Sequence, residues 1–142
     1  MANVIPYAFR GELFSGTHDF SSGGNTFKLA LYTSTPYDTS STIYVVTNEQ
    51  SSAGGSNYTA GGNSLGTNAV VSTTAVASCD FADSEWTAAT ISVAFGALYD
   101  SSASNKLCVI LDFSGTKTCT NGTFKVSFPS PETAADAIIS MA

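Results

Sequence analysis

The chain has 142 residues, the size of a single domain whose one core can bury roughly two-thirds of the surface its unfolded form exposes. Only 11% of its residues are charged against 43% apolar, and the formal net charge is −6; its five Lys and Arg are scattered, so nucleic acid and anionic membranes are excluded as expected partners. Three cysteines without a CxxC pair and one histidine fit no recognised zinc spacing, so no metal or cofactor is expected and the thiols are expected to be free.

Residues 1–20 are where a helix competes with an arm. Ile5, Phe9 and Leu13 fall four apart, Asn3 stands where a cap would, Pro6 is tolerated in a first turn and Gly16 can close the helix in the left-handed conformation. The alternative is an N-terminal arm that orders on a neighbouring subunit. His18, in Ser15-Gly16-Thr17-His18, reads as a loop residue, because this run lacks the Gly-x-Ser-x-Gly turn of a nucleophile elbow.

From Thr26 the period becomes two: Phe27, Leu29 and Leu31 alternate with Lys28, Ala30 and Tyr32, predicting a strand with one strongly apolar face. Thr42 to Thr47, β-branched and aromatic, predicts a second strand. Between Asn48 and Gly66 the Gly-, Ser- and Asn-rich composition predicts a long loop, mobile in the free protein, with at most a short strand at Tyr58. Tyr32, Tyr37, Tyr44 and Tyr58 have the amphipathic rings that interfaces favour, and they are the candidate interface residues; stacking on sugars is the other use of such rings.

Asn68 to Val76 predicts a further strand. Asp80, Asp83 and Glu85 read as a charged turn, with Trp86 behind them as a core anchor; their spacing is not that of an EF-hand. In the long strand Ala89 to Asp100, Ile91, Val93, Phe95, Ala97 and Tyr99 share one face, and Lys106 to Phe113 is apolar on both faces, as a central strand would be. Asn121-Gly122 between Thr116–Thr120 and Thr123–Phe128 predicts a type I′ hairpin that sets Cys119 opposite Phe124. After Pro131, one helical turn capped by Ser130 is expected, ending on Ile138 and Ile139. The sum is an all-β fold, a two-sheet β-sandwich or jelly roll of about eight strands, in one domain over residues 1–142. No basic region precedes an apolar core at the start, so a cytosolic, soluble product is expected.

The runs Phe9-Arg10-Gly11-Glu12-Leu13 and Asn25-Thr26-Phe27-Lys28-Leu29-Ala30-Leu31-Tyr32-Thr33-Ser34 resemble the start of a family of small structural proteins of tailed bacteriophages. The resemblance continues through Asn48-Glu49, Asn57 to Gly62, Asp80-Phe81 with Trp86, Ile91 to Tyr99, Val109 to Phe113 and Gly122 to Pro129. It implies a non-enzymatic virion protein: a capsid decoration, or cement, protein that binds the major capsid protein on the outer shell and stabilises it. Self-association as a trimer or dimer would accompany that role. The alternative is a fibre or tail-associated adhesin that binds a host surface glycan through the loop between Asn48 and Gly66.

Overall fold

The computed structural model describes residues 2–66, 69–72, 76–129 and 138–141. Among them one helix, α1 (Tyr7–Phe14), precedes seven strands: β1 (Phe27–Tyr32), β2 (Asn63–Ser64), β3 (Ala69–Ser72), β4 (Ala77–Asp80), β5 (Ser84–Asp100), β6 (Lys106–Val126) and β7 (Ile139–Met141). They form two antiparallel sheets, one ordered β2-β1-β5-β6 and the other β3-β4-β7. The fold is an all-β sandwich without a closed barrel.

The larger sheet is covered on both faces. Its first face carries Phe27, Leu29, Leu31, Ile91, Leu98 and Val109 into a core completed by Cys79 and Ile139 of the smaller sheet and by Phe9 of α1. The second face carries Ala30, Tyr32, Ala97, Tyr99, Leu107 and Ile110, packed under Tyr37, Tyr44 and Val45. Two-sided burial explains why Lys106 to Phe113 is apolar on both faces. The strand is nevertheless at the sheet's edge, not its centre: Val4 pairs with Ile110, Ile43 pairs with Lys106, and Asn3 Oδ1 accepts from the Asp112 N–H, so irregular segments cover what a neighbouring strand would.

The short helix forms as its spacing predicts, with Phe9 fully buried and Ile5 and Leu13 packed on the core. Pro6, not Asn3, occupies the cap, and Gly16 takes the left-handed conformation at φ +68.

Four expectations need correction. Thr42 to Thr47 is not a strand; it makes one isolated bridge, at Ile43, while Leu107 N–H donates to Thr42 and Tyr44 N–H to Asn105. Asn121-Gly122 does not close a hairpin. Only Asn121 has positive φ, +45, opposite a kink at Ala88 with φ +47. These are two compensating bulges: pairing passes from Trp86↔Phe124 through Ala89↔Gly122 to Ile91↔Cys119, one extra residue first in β5 and then in β6. Cys119 therefore faces Ile91 and not Phe124.

The single face expected for Ile91 to Tyr99 also divides, with Ile91 and Val93 in the first core and Phe95, Ala97 and Tyr99 in the second. The reversal falls at the irregular step between Val93 and Phe95, where the partner jumps from Lys117 to Asp112 and β6 bulges through Ser114 and Gly115 at positive φ. The short strand in the loop lies at Asn63–Ser64, away from Tyr58. The helical turn expected after Pro131 lies outside the described residues.

Candidate interaction surface

The four tyrosines singled out in the sequence are brought together, but inside the molecule. Tyr32, Tyr37 and Tyr58 are buried and Tyr44 half-buried, so the first three offer no ring to solvent. Glu49 gathers two of them: its carboxylate accepts from the Tyr44 and Tyr58 hydroxyls at 2.6 Å each and from the Gly61 N–H at 2.6 Å. Tyr32 and Tyr37 share a hydroxyl contact of 2.7 Å, and Tyr32 donates to the Val45 carbonyl. Burial, with the nearby Glu49 charge, pushes the Tyr44 and Tyr58 hydroxyls far above the usual phenol range. These contacts also pin the loop from Asn48 to Gly66: Gln50 N–H donates to Leu31, Leu65 N–H to Phe27, and Thr90 N–H to Ser56. Its longest exposed run is the tip from Ser51 to Gly55.

Among the described residues, part of β6 is left uncovered. The inward side of this strand pairs with β5 over its length, while its outward side is covered only from Lys106 to Asp112. From Ser114 to Val126 the outward edge has no backbone partner among the described residues, and Ser114 to Thr118, Thr120 and Asn121 are exposed. An open edge of this kind presents N–H and C=O groups that an added strand satisfies. Beside it lies a groove of about 670 Å³ lined by Phe113, Lys117, Phe124, Lys125, Val126 and Phe128. Lys125 bridges Asp83 at 2.9 Å and Glu85 at 3.3 Å, which holds the Asp83 carboxyl below its ordinary value and raises the Lys125 ammonium. The charged turn expected at Asp80, Asp83 and Glu85 thus braces the end of the β5–β6 ribbon, with Trp86 buried behind it. Trp86 Nε1 is buried with no acceptor among the described residues.

A second exposed region is apolar. Val70, 54% exposed, and Met141, 58% exposed, line a groove with Leu13, Phe20, Cys79 and Ile139, and Phe14 at the end of α1 is 93% exposed. Isolated exposed apolar residues are ordinary, but two exposed apolar side chains on the rim of an apolar groove mark a surface fit for contact.

Sequence reasoning missed a third feature. His18, expected as an ordinary loop residue, has a fully buried side chain held between Asp100 and Glu12, and Lys106 closes the set on Glu12. The available signal was scarcity: in a chain with 16 charged residues, from 5 Lys and Arg plus 11 Asp and Glu, a lone histidine next to acidic and basic partners in space is a placed group. Among the described residues no three His, Cys, Asp or Glu converge to hold a metal ion, and no helix is long and apolar enough to cross a membrane. Comparison with protein-family models, with curated proteins and with solved structures finds no match for this chain.

Proposed function

We propose that the chain is a non-enzymatic structural protein of a tailed-bacteriophage virion, a capsid decoration protein that docks on the major capsid protein and reinforces the shell. The observation that carries this reading is the half-covered β6 edge. A strand whose first seven residues are capped by the chain's own segments, and whose remainder stands open among the described residues beside a groove, is suited to receive a partner. Main-chain pairing supplies affinity, and the groove, lined by phenylalanines and lysines, supplies selectivity for alternate side chains. The apolar groove at Val70 and Met141 gives the same chain a second contact, and a subunit gripping two neighbours gains by effective concentration what each contact lacks alone.

The sparse charge and the −6 balance support a role outside the DNA-filled interior, where like charge disfavours contact with nucleic acid. The adhesin alternative has less support, because Tyr58, the aromatic ring of the loop between Asn48 and Gly66, is buried and committed to Glu49.

The direct test is binding of the purified protein to capsids that lack it. A double variant, Thr118→Lys with Thr120→Lys, changes two exposed positions on the open edge and is expected to keep the wild-type fold. Charged edges resist strand addition, so capsid occupancy is expected to fall by at least about tenfold. Wild-type occupancy by this variant, with its circular dichroism unchanged, would remove the edge from the account.

A further inference from the structure

Between α1 and the turn joining β5 to β6 lies a charge network that shape alone does not require. His18 Nδ1 is 2.9 Å from Asp100 Oδ2, and His18 Nε2 is 2.9 Å from Glu12 Oε2. Asp100 is fully buried and receives only donors: Asn25 Nδ2 with His18 on Oδ2, and the Ser102 and Ala103 N–H groups on Oδ1. Glu12 receives the Lys106 ammonium on its other oxygen. Burial alone would raise the Glu12 carboxyl, but Lys106 and His18 outweigh it and hold that carboxyl below its ordinary value. Both neighbours of the imidazole are therefore acceptors. A neutral ring can donate to one of them only and turns a lone pair on the other, whereas an imidazolium donates to both. The count of charge agrees: two carboxylates, one ammonium and one imidazolium sum to zero, while a neutral ring leaves a buried negative charge uncompensated.

We propose that Glu12, His18, Asp100 and Lys106 form a pH-sensitive clasp in which His18, held as the imidazolium, fastens α1 and the segment after it to the β5–β6 turn. The groups that face the ring come from each element packed on it. α1 contributes Glu12 and β5 contributes Asp100; β6 contributes Lys106 through Glu12, and the nearby Cys108 thiol, which burial first and then the charges of Asp100 and Glu12 push up, so that it stays protonated. Asp19, the adjacent residue, is exposed and turned to Ser21. Arg10 lies over Tyr7, and the rings of Phe9, Phe20 and Phe27 make up the rest of the wall. The clasp is closed while the ring carries both protons and opens as pH rises and one proton leaves. It also loosens in acid, once Glu12 is protonated. Opening affects residues that the sandwich does not need for its strand pairing, because no ladder of either sheet includes residues 7–25.

The chain has a single histidine, so its ring can be followed without assignment ambiguity. The experiment is a nitrogen-15 NMR titration of the intact wild-type protein, paired with amide hydrogen exchange over the same pH range, corrected for the intrinsic exchange rate. Both ring nitrogens are expected to be protonated at pH 7. Over the interval in which the ring becomes neutral, protection of the α1 amides is expected to fall about tenfold while that of Ile91 to Tyr99 stays constant. Glu12→Gln, which gives the ring a neighbour that needs no charge, is expected to abolish that pH response. A neutral ring at pH 7 in the wild type, or α1 protection that ignores the ring's titration, would overturn the clasp whether or not the variant folds.

Discussion

The Tyr58 hydroxyl stands between two partners, donating to Glu49 at 2.6 Å and accepting from the buried Leu31 N–H at 3.0 Å. Tyr58→Phe keeps the ring and leaves that N–H without an acceptor, so a loss of about 1–3 kcal/mol is expected, read as a lower urea midpoint with an unchanged slope. The same neighbourhood gives stability an alkaline limit. Burial first, and then the Glu49 charge, push the Tyr99 hydroxyl up to about 12 from its ordinary 10.0. A raised value means that the native state holds the proton more tightly than the unfolded chain. The associated stability is complete below pH 10, and it is lost as pH climbs from there toward 12. Thermal midpoints measured across that window are expected to fall, and midpoints that stay flat would contradict the buried placement. The cysteines divide by the same logic. Cys79 and Cys108 are buried, and burial, with Asp80 nearby, pushes Cys79 up to about 12; Cys119 is half-buried, its thiol 3.3 Å from the Ala89 carbonyl. Native protein is expected to give at most one reactive thiol, Cys119, and denatured protein three, without reduction.

At the scale of elements, β6 holds both the main success and the main error of the sequence reading. Its first part is apolar on both faces because the sheet is covered on both faces; that burial could be read directly, but the central position inferred from it could not, since β6 is the edge strand. The Asn121-Gly122 pair could be read only as a turn, because a left-handed asparagine serves a bulge as well as it serves a hairpin. What decides between them is the length of the partner, and β5 from Ser84 to Asp100 is long enough to pair with both arms of the supposed hairpin. The strand expected at Thr42 to Thr47 fails for a related reason: its residues suit a pleated surface, yet they lie across a face and bridge an edge instead of extending the sheet. Gly62 shows how closely the pinned loop approaches β1. It has φ +70, and a Cβ there would sit 1.8 Å from the Leu29 carbonyl oxygen. Gly62→Ala is expected to destabilise by about 3 kcal/mol or more, or to prevent folding, since backbone strain and a backbone clash act together. A denaturation midpoint within experimental error of wild type would show that the loop can move away from β1.

For the whole molecule, the all-β fold was legible because the apolar and β-branched runs Phe27 to Tyr32 and Ile91 to Tyr99 mark strands, although the change of face after Val93 was not. The surface was not, because openness of an edge is a property of what lies beside a strand and leaves no mark in the strand's own pattern. The candidate tyrosines illustrate the difference: an amphipathic ring suits an interface and an internal polar partner equally, and here Glu49 claims Tyr44 and Tyr58 while Tyr32 and Tyr37 bond each other and the Val45 carbonyl. The central claim, that this molecule works by reinforcing a shell, separates from host attachment at the level of the particle. A cement protein adds contacts between capsomers that already cohere, and even contacts of about 8 kcal/mol become decisive when repeated over a whole shell. The measurement is heat inactivation of virions lacking the protein, beside their rate of adsorption to host cells. Rupture at a lower temperature with adsorption unchanged is the predicted result, and unchanged heat tolerance with failed adsorption would contradict it.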